Sequence, residues 1–91
     1  MDYLPKPTDT NTAEQCRHMG IAVGDVIEGR ETYEDGNWNE ARLELLWLGD
    51  EVAVFREQSR SWMRSEWTEP HEKSCWTLDC RRWRKVTPNR Y

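Results

Sequence analysis

The spacing of apolar residues along this chain changes partway. Between Thr12 and Met19, the residues Ala13, Cys16 and Met19 recur every third position, the period of one helix face. Thr12 is placed to cap this segment with Gln15 completing a capping box, and Gly20 stands where a left-handed stop is wanted. The spacing predicts a helix over Thr12–Met19, too short to persist unless it packs on something else. Beyond Gly20 the period becomes that of a strand. Ile21 to Arg30 predicts a first strand, bent at Gly24-Asp25, with Val23 and Ile27 on one face. Tyr33-Glu34-Asp35-Gly36-Asn37 is rich in turn formers. From Ala41, the residues Leu43, Leu45 and Trp47 alternate with Arg42, Glu44, Leu46 and Leu48, and Glu51 to Arg56 follows Gly49-Asp50. That pattern predicts a hairpin over 41–56 with a two-residue type II′ turn. Both faces become apolar near Leu46–Leu48, so that end is expected to be covered on both sides.

The stretch from Gln58 to Lys73 is charged and poor in aliphatic residues, which predicts a long loop. Trp76-Thr77-Leu78 predicts a short strand, Asp79-Cys80-Arg81-Arg82 a single helical turn, and Trp83-Arg84-Lys85-Val86 a last strand. Residues 1–9 hold Pro5 and Pro7 and predict a flexible arm, leaving residues 10–91 as one domain. The expected fold is mainly β: a small five-stranded barrel with a short N-terminal helix. Its layout is similar to SH3-like barrels over roughly residues 20–87, through Val23–Ile27, the 41–56 hairpin, Trp76-Thr77-Leu78 and Arg82–Val86.

Composition sharpens this picture. Hydrophobic residues make up 36% and charged residues 33% of 91 positions, yet aromatics reach 11%, which separates the chain from disordered ones. A thin aromatic core is marginal at this size, so self-association or a bound ligand would add stability. Among the six tryptophans, Trp47, Trp76 and Trp83 lie in strand patterns and are expected in the core. Trp62 sits among polar neighbours and is expected to be exposed, whereas Trp67 and Trp38 fit either environment.

The net charge of −4 conceals an asymmetry: residues 81–91 carry +5 and residues 1–80 carry −9. An acidic body argues against general nucleic-acid binding. The basic end either binds an anion or neutralises acidic strands beside it, and cross-strand pairing favours the second. The N-terminus lacks the basic start and apolar run of a secretion signal, and no apolar stretch approaches the ~20 residues of a membrane span. Three cysteines without such a signal are expected to be reduced thiols.

Little in the chain supports catalysis or a metal. Cys16, His18, His71, Cys75 and Cys80 are ligand types, but the closely spaced pairs of a zinc site are missing, so no metal or other cofactor is expected. A Cys–His pair could be drawn from Cys75 or Cys80 with His71. Only Arg81 and Arg82 beside Cys80 would lower a thiol pKa, and no glycine-rich phosphate loop or catalytic serine motif is present. No catalytic residue is therefore assigned. The better candidate is a binding surface made by Arg60, Trp62, Arg64 and Trp67, with Trp38 as a further indole. Guanidinium groups pair with phosphate or carboxylate, and indoles stack on bases or partner side chains. The alternative is a nucleic-acid or anion site on Arg81, Arg82, Arg84 and Lys85, whose binding would depend strongly on salt.

Three segments, Val23–Glu31, Ala41–Gly49 and Trp76-Thr77-Leu78 with Arg81 and Trp83-Arg84, resemble a family of short uncharacterised proteins of tailed phages and prophages. The resemblance implies a phage origin and action in the host bacterial cytoplasm, and it carries no activity. The expectation is a non-enzymatic accessory protein that occupies a host protein or sequesters a small anionic ligand.

Overall fold

The computed structural model describes residues 3–86. One helix, α1 (Thr12–Met19), precedes five strands: β1 (Val26–Thr32), β2 (Trp38–Leu48), β3 (Ala53–Ser61), β4 (His71–Cys75) and β5 (Arg82–Val86). All pairings are antiparallel, in the order β4-β3-β2-β1-β5. The expected barrel does not close. Among the described residues β4 and β5 are the two ends of an open sheet. The outer side of β5 is instead met by the N-terminal segment, through a bridge between Tyr3 and Arg84 and a hydrogen bond from Leu4 N–H to Trp83 O at 2.8 Å.

α1 forms where its spacing predicts, and Ala13, Cys16 and Met19 are buried. Gly20 adopts φ 75° and donates its N–H to the last carbonyls of the helix. The cap is Asn11, not Thr12: the Asn11 side chain accepts from Glu14 N–H at 2.9 Å. Thr12 and Gln15 are both buried and join the helix to the sheet. The Thr12 hydroxyl donates to Cys75 O and accepts from Ala53 N–H at 3.2 Å. The Gln15 amide donates to Thr8 O and the Thr77 hydroxyl, and accepts from Leu78 N–H at 2.7 Å. Polar residues that look like capping groups thus hold three segments together.

The core lies on one face of the sheet. Ile27, Leu43, Leu45, Ala53, Phe55 and Trp83 point into it, and Cys16, Met19, Ile21 and Leu78 cover them. Gly29 lies opposite Trp83 in the register, and a Cβ there would lie 2.8 Å from the indole, so only glycine admits this packing unaltered.

Several boundaries differ from expectation. The first strand begins at Val26, and Val23 is exposed. The β2–β3 connection spans residues 49–52, closed by Gly49 N–H to Val52 O at 3.0 Å. Gly49 is not among the glycines with positive φ, so the type II′ turn is absent. β3 runs on to Ser61 and β4 occupies 71–75, which shortens the expected loop to residues 62–70. Trp76-Thr77-Leu78 is not a strand, and residues 80 and 81 make bends before β5 where a helical turn is expected.

Two tryptophans expected in the core are outside it: Trp47 is 56% and Trp76 60% exposed, against 2% for Trp83. For Trp47 the cause is a β-bulge. Leu45 pairs with Phe55 and Trp47 with Val54, so Leu46 is an extra residue on β2. The strand's inside and outside exchange after it, and Leu48 packs on the core in place of Trp47. Trp76 lies past the end of β4, where its carbonyl accepts from Thr12 N–H at 2.7 Å.

Candidate functional site

The face of the sheet opposite the core is built from charged pairs. Strand alternation places Glu28 and Arg30 of β1, Glu40, Arg42 and Glu44 of β2, Arg56 and Arg60 of β3, and Arg82 and Arg84 of β5 on this face. The register sets Arg84–Glu28–Arg42 side by side in one row and Arg82–Arg30–Glu40–Arg60 in the next. Glu28 lies between two guanidiniums, at 2.7 Å from Arg42 and 3.6 Å from Arg84. Glu40 lies between two more, at 2.6 Å from Arg60 and 3.3 Å from Arg30. Burial of Glu40 works to raise its pKa, but hydrogen bonds and charge from Arg60 and Arg30 outweigh this and hold it below the usual carboxylate range.

Indoles are interleaved with the arginines. The Arg30 guanidinium lies 4.1 Å from the centre of the Trp38 ring, and Arg60 lies 6.0 Å from the same ring. Trp67 takes Arg42 at 4.2 Å and Arg60 at 4.6 Å. The result is a ladder Arg30–Trp38–Arg60–Trp67–Arg42, each step a cation–π contact worth roughly 0.5–2 kcal/mol. Trp38 and Trp67 are half-buried within it. Of the five residues expected to form a binding surface, Arg60, Trp67 and Trp38 therefore meet on one face. Trp62 and Arg64 belong to a tight turn at the end of β3, closed by reciprocal backbone hydrogen bonds between Ser61 and Arg64 at 2.9 and 3.0 Å. Trp62 is exposed there, as expected, beside an exposed Met63.

The second group of basic residues is divided by strand alternation. The Arg81 guanidinium is turned inward, bonded to Gly29 O at 3.1 Å, Asn39 Oδ1 at 3.0 Å and both oxygens of Asp79. Lys85 pairs with Asp25 at 3.2 Å. The Ala22 N–H bond to Asp25 is the main cause of a lowered Asp25 pKa, with Lys85 contributing. Arg81 and Lys85 thus neutralise neighbouring acids, and only Arg82 and Arg84 of the four join the outer face. Arg90 lies outside the described residues.

Where Arg82 and Arg84 meet Arg30, the N-terminal segment adds a wall. Tyr3, Glu28, Arg30, Glu40, Arg82 and Arg84 line a groove of about 450 Å³. Arg82 lies 4.9 Å from the centre of the Tyr3 ring, and among the described residues it forms no ion pair. Tyr3, Glu28, Arg30, Glu40 and Arg42 were absent from the sequence candidates. A usable signal exists in Glu28-x-Arg30 and Glu40-x-Arg42, since opposite charges two apart on a strand share a face.

Two of the three thiols are held in the protonated form. Burial, reinforced by Cys75, pushes the Cys16 thiol up to about 11, and burial also raises Cys75. His71 pairs with Glu57 at 3.1 Å. Among the described residues no three His, Cys, Asp or Glu side chains are gathered as a metal site would need. No helix there is long and apolar enough to cross a membrane.

Fold and face together define a small module built on one open antiparallel sheet, with a helix over one side and an arginine–tryptophan ladder on the other. Over residues 10–88 the chain matches the family described as a domain of unknown function, DUF7241, and it belongs to that family. No curated protein and no solved structure is significantly similar to it.

Proposed function

We propose that this is a non-enzymatic binding module that sequesters a small anionic ligand on the outer face of its sheet, and that it acts as a phage accessory protein in the host cytoplasm. The observation that carries the reading is charge placement. In the two adjoining rows, five arginines face two glutamates, Arg82 is left without a carboxylate partner, and a groove opens beside it. Guanidinium groups in such an array suit phosphate or carboxylate. The raised thiols of Cys16 and Cys75 favour binding over covalent chemistry. The phage assignment rests on the likeness of Val23–Glu31, Ala41–Gly49 and Trp76-Thr77-Leu78 with Arg81 and Trp83-Arg84 to phage and prophage proteins.

Titration with pyrophosphate and with citrate at constant ionic strength, followed by tryptophan fluorescence, tests the reading. A saturable change that Arg82→Gln weakens supports it, and no saturable response to either anion overturns it. A second reading, occupation of a host protein, has its own support in the exposed Trp62 and Met63 at the end of β3. Aromatic and Met side chains are favoured at protein interfaces. Loss of a co-purifying host protein on Trp62→Ser would favour that reading, and retention would remove it.

A further inference from the structure

We infer that the ligand of the groove beside β5 is a free nucleotide, with its phosphates on Arg82, Arg84 and Arg30 and its base stacked against Tyr3. This inference rests on the anion-binding reading and adds the ligand class to it. Three features lead to a nucleotide instead of a simple anion. The groove joins guanidiniums to an aromatic ring at one place: Tyr3 is half-exposed, and its bridge to Arg84 sets the ring on the same side of the sheet. Arg82 already lies 4.9 Å from the ring centre, so a phosphate drawn to Arg82 brings any attached base within reach of the ring. The volume of about 450 Å³ suits a drug-sized ligand and far exceeds the share of a lone phosphate.

The two acids of the groove do not repel such a ligand as free carboxylates would. Glu28 is held by Arg42 and Arg84, and Glu40 by Arg60 and Arg30. They act as spacers that fix the guanidiniums while the local sum stays positive. The same charges choose between a free nucleotide and a polymer. Seven chargeable residues of the two rows carry +3, so the remainder of the chain carries −7 to give the total of −4. A polynucleotide that extends beyond the groove meets a remainder of net negative charge, whereas a nucleotide ends within the basic area.

Calorimetric titration of the full chain with ADP, pyrophosphate, adenosine and a single-stranded oligonucleotide, at one salt concentration, tests this. ADP is expected to bind about tenfold tighter than pyrophosphate, the worth of one base on one aromatic ring, and adenosine to give no measurable binding. Tyr3→Leu should bring ADP down to the level of pyrophosphate and leave pyrophosphate unchanged, while Arg82→Gln weakens both. Both residues are exposed, and far-ultraviolet dichroism will show that each variant keeps its fold. If pyrophosphate binds and ADP is no tighter, the nucleotide inference fails while the anion reading stands. If neither binds, both fail. Tighter binding of the oligonucleotide than of ADP overturns the choice of a free nucleotide.

Discussion

Gly29→Ala separates two physical effects by sign. Gly29 lies in the middle of β1 and is not among the glycines with positive φ. On backbone grounds alone, alanine there should stabilise the protein by ~0.5–1 kcal/mol, because the unfolded chain loses freedom. The packing argues the other way. A Cβ would lie 2.6 Å from Arg81 Cδ, 2.8 Å from Trp83 Cε3 and 2.9 Å from Arg81 Cγ. Neither neighbour yields readily. Trp83 is 2% exposed and its indole N–H donates to Asp79 O at 3.2 Å, while the Arg81 guanidinium is bonded to Gly29 O, Asn39 and Asp79. Overpacking of this kind costs ~1–3 kcal/mol, and three contacts below 3.0 Å against held neighbours put it in the upper half of that range, which leaves a net loss of roughly 1–2.5 kcal/mol after the backbone gain. At about 4–8 °C per kcal/mol for a domain of this size, Tm falls by roughly 5–15 °C. Urea unfolding followed by tryptophan fluorescence should show a lower midpoint with an unchanged slope. In an Arg81→Ala background two of the three contacts are gone, so the double variant should lose less than the sum of the single ones. A Gly29→Ala protein as stable as the parent, or more so, would refute the account of how β5 packs on β1.

The tryptophans should divide sharply: Trp83→Ala is expected to cost ~3–5 kcal/mol, while Trp47→Ser and Trp76→Ser each stay within about 1 kcal/mol in the same urea assay. Glu40 has a lowered folded pKa, so its contribution is fully present above the ordinary carboxylate pKa and is lost as pH falls through the folded value. Tm measured downward from pH 7 should therefore show a flatter acid limb for Glu40→Gln, which also loses roughly 1–2 kcal/mol at pH 7 with its charged hydrogen bonds. Alkylation at pH 8 should modify exposed Cys80 first; Cys16, buried and with its thiol pushed to about 11, is about one part in a thousand thiolate there and should react only on unfolding.

What the sequence conceals follows from where its signals are ambiguous. Thr12–Met19 is legible because three small or flexible apolar residues recur at helical spacing and Gly20 ends them. The β2–β3 hairpin is legible because charged and apolar residues alternate from Ala41 to Leu45. The alternation fails at Leu46-Trp47-Leu48, where every residue is apolar and either phase satisfies the pattern. The bulge at Leu46 selects Leu48 for the core, and nothing local to the three residues announces it. β4 is illegible for another reason. His71-Glu72-Lys73-Ser74-Cys75 has no apolar alternation, since it forms an edge held by backbone pairing to β3, Phe55 opposite Lys73.

The candidate face follows the same logic. β2 spells out its charges at every second position from Glu40 to Glu44, and Glu28-x-Arg30 repeats the spacing on β1, so which of these residues share a face is legible in the sequence. Which arginine meets which glutamate depends on register, and register depends on the bulge and the turns. Tyr3 is further from reach, because it joins the groove through a bridge to a residue about eighty positions away. Trp38 and Trp67 fit an inward or an outward place by sequence, and the outer ladder removes that choice. Each is half-covered by arginines whose charges remain at the surface, so one indole both packs on the sheet and holds cations in place. On the anion-binding proposal, substituting either indole should therefore lower stability and anion affinity together, whereas Arg82, which meets the exposed Tyr3 ring and no carboxylate among the described residues, should change binding far more than stability.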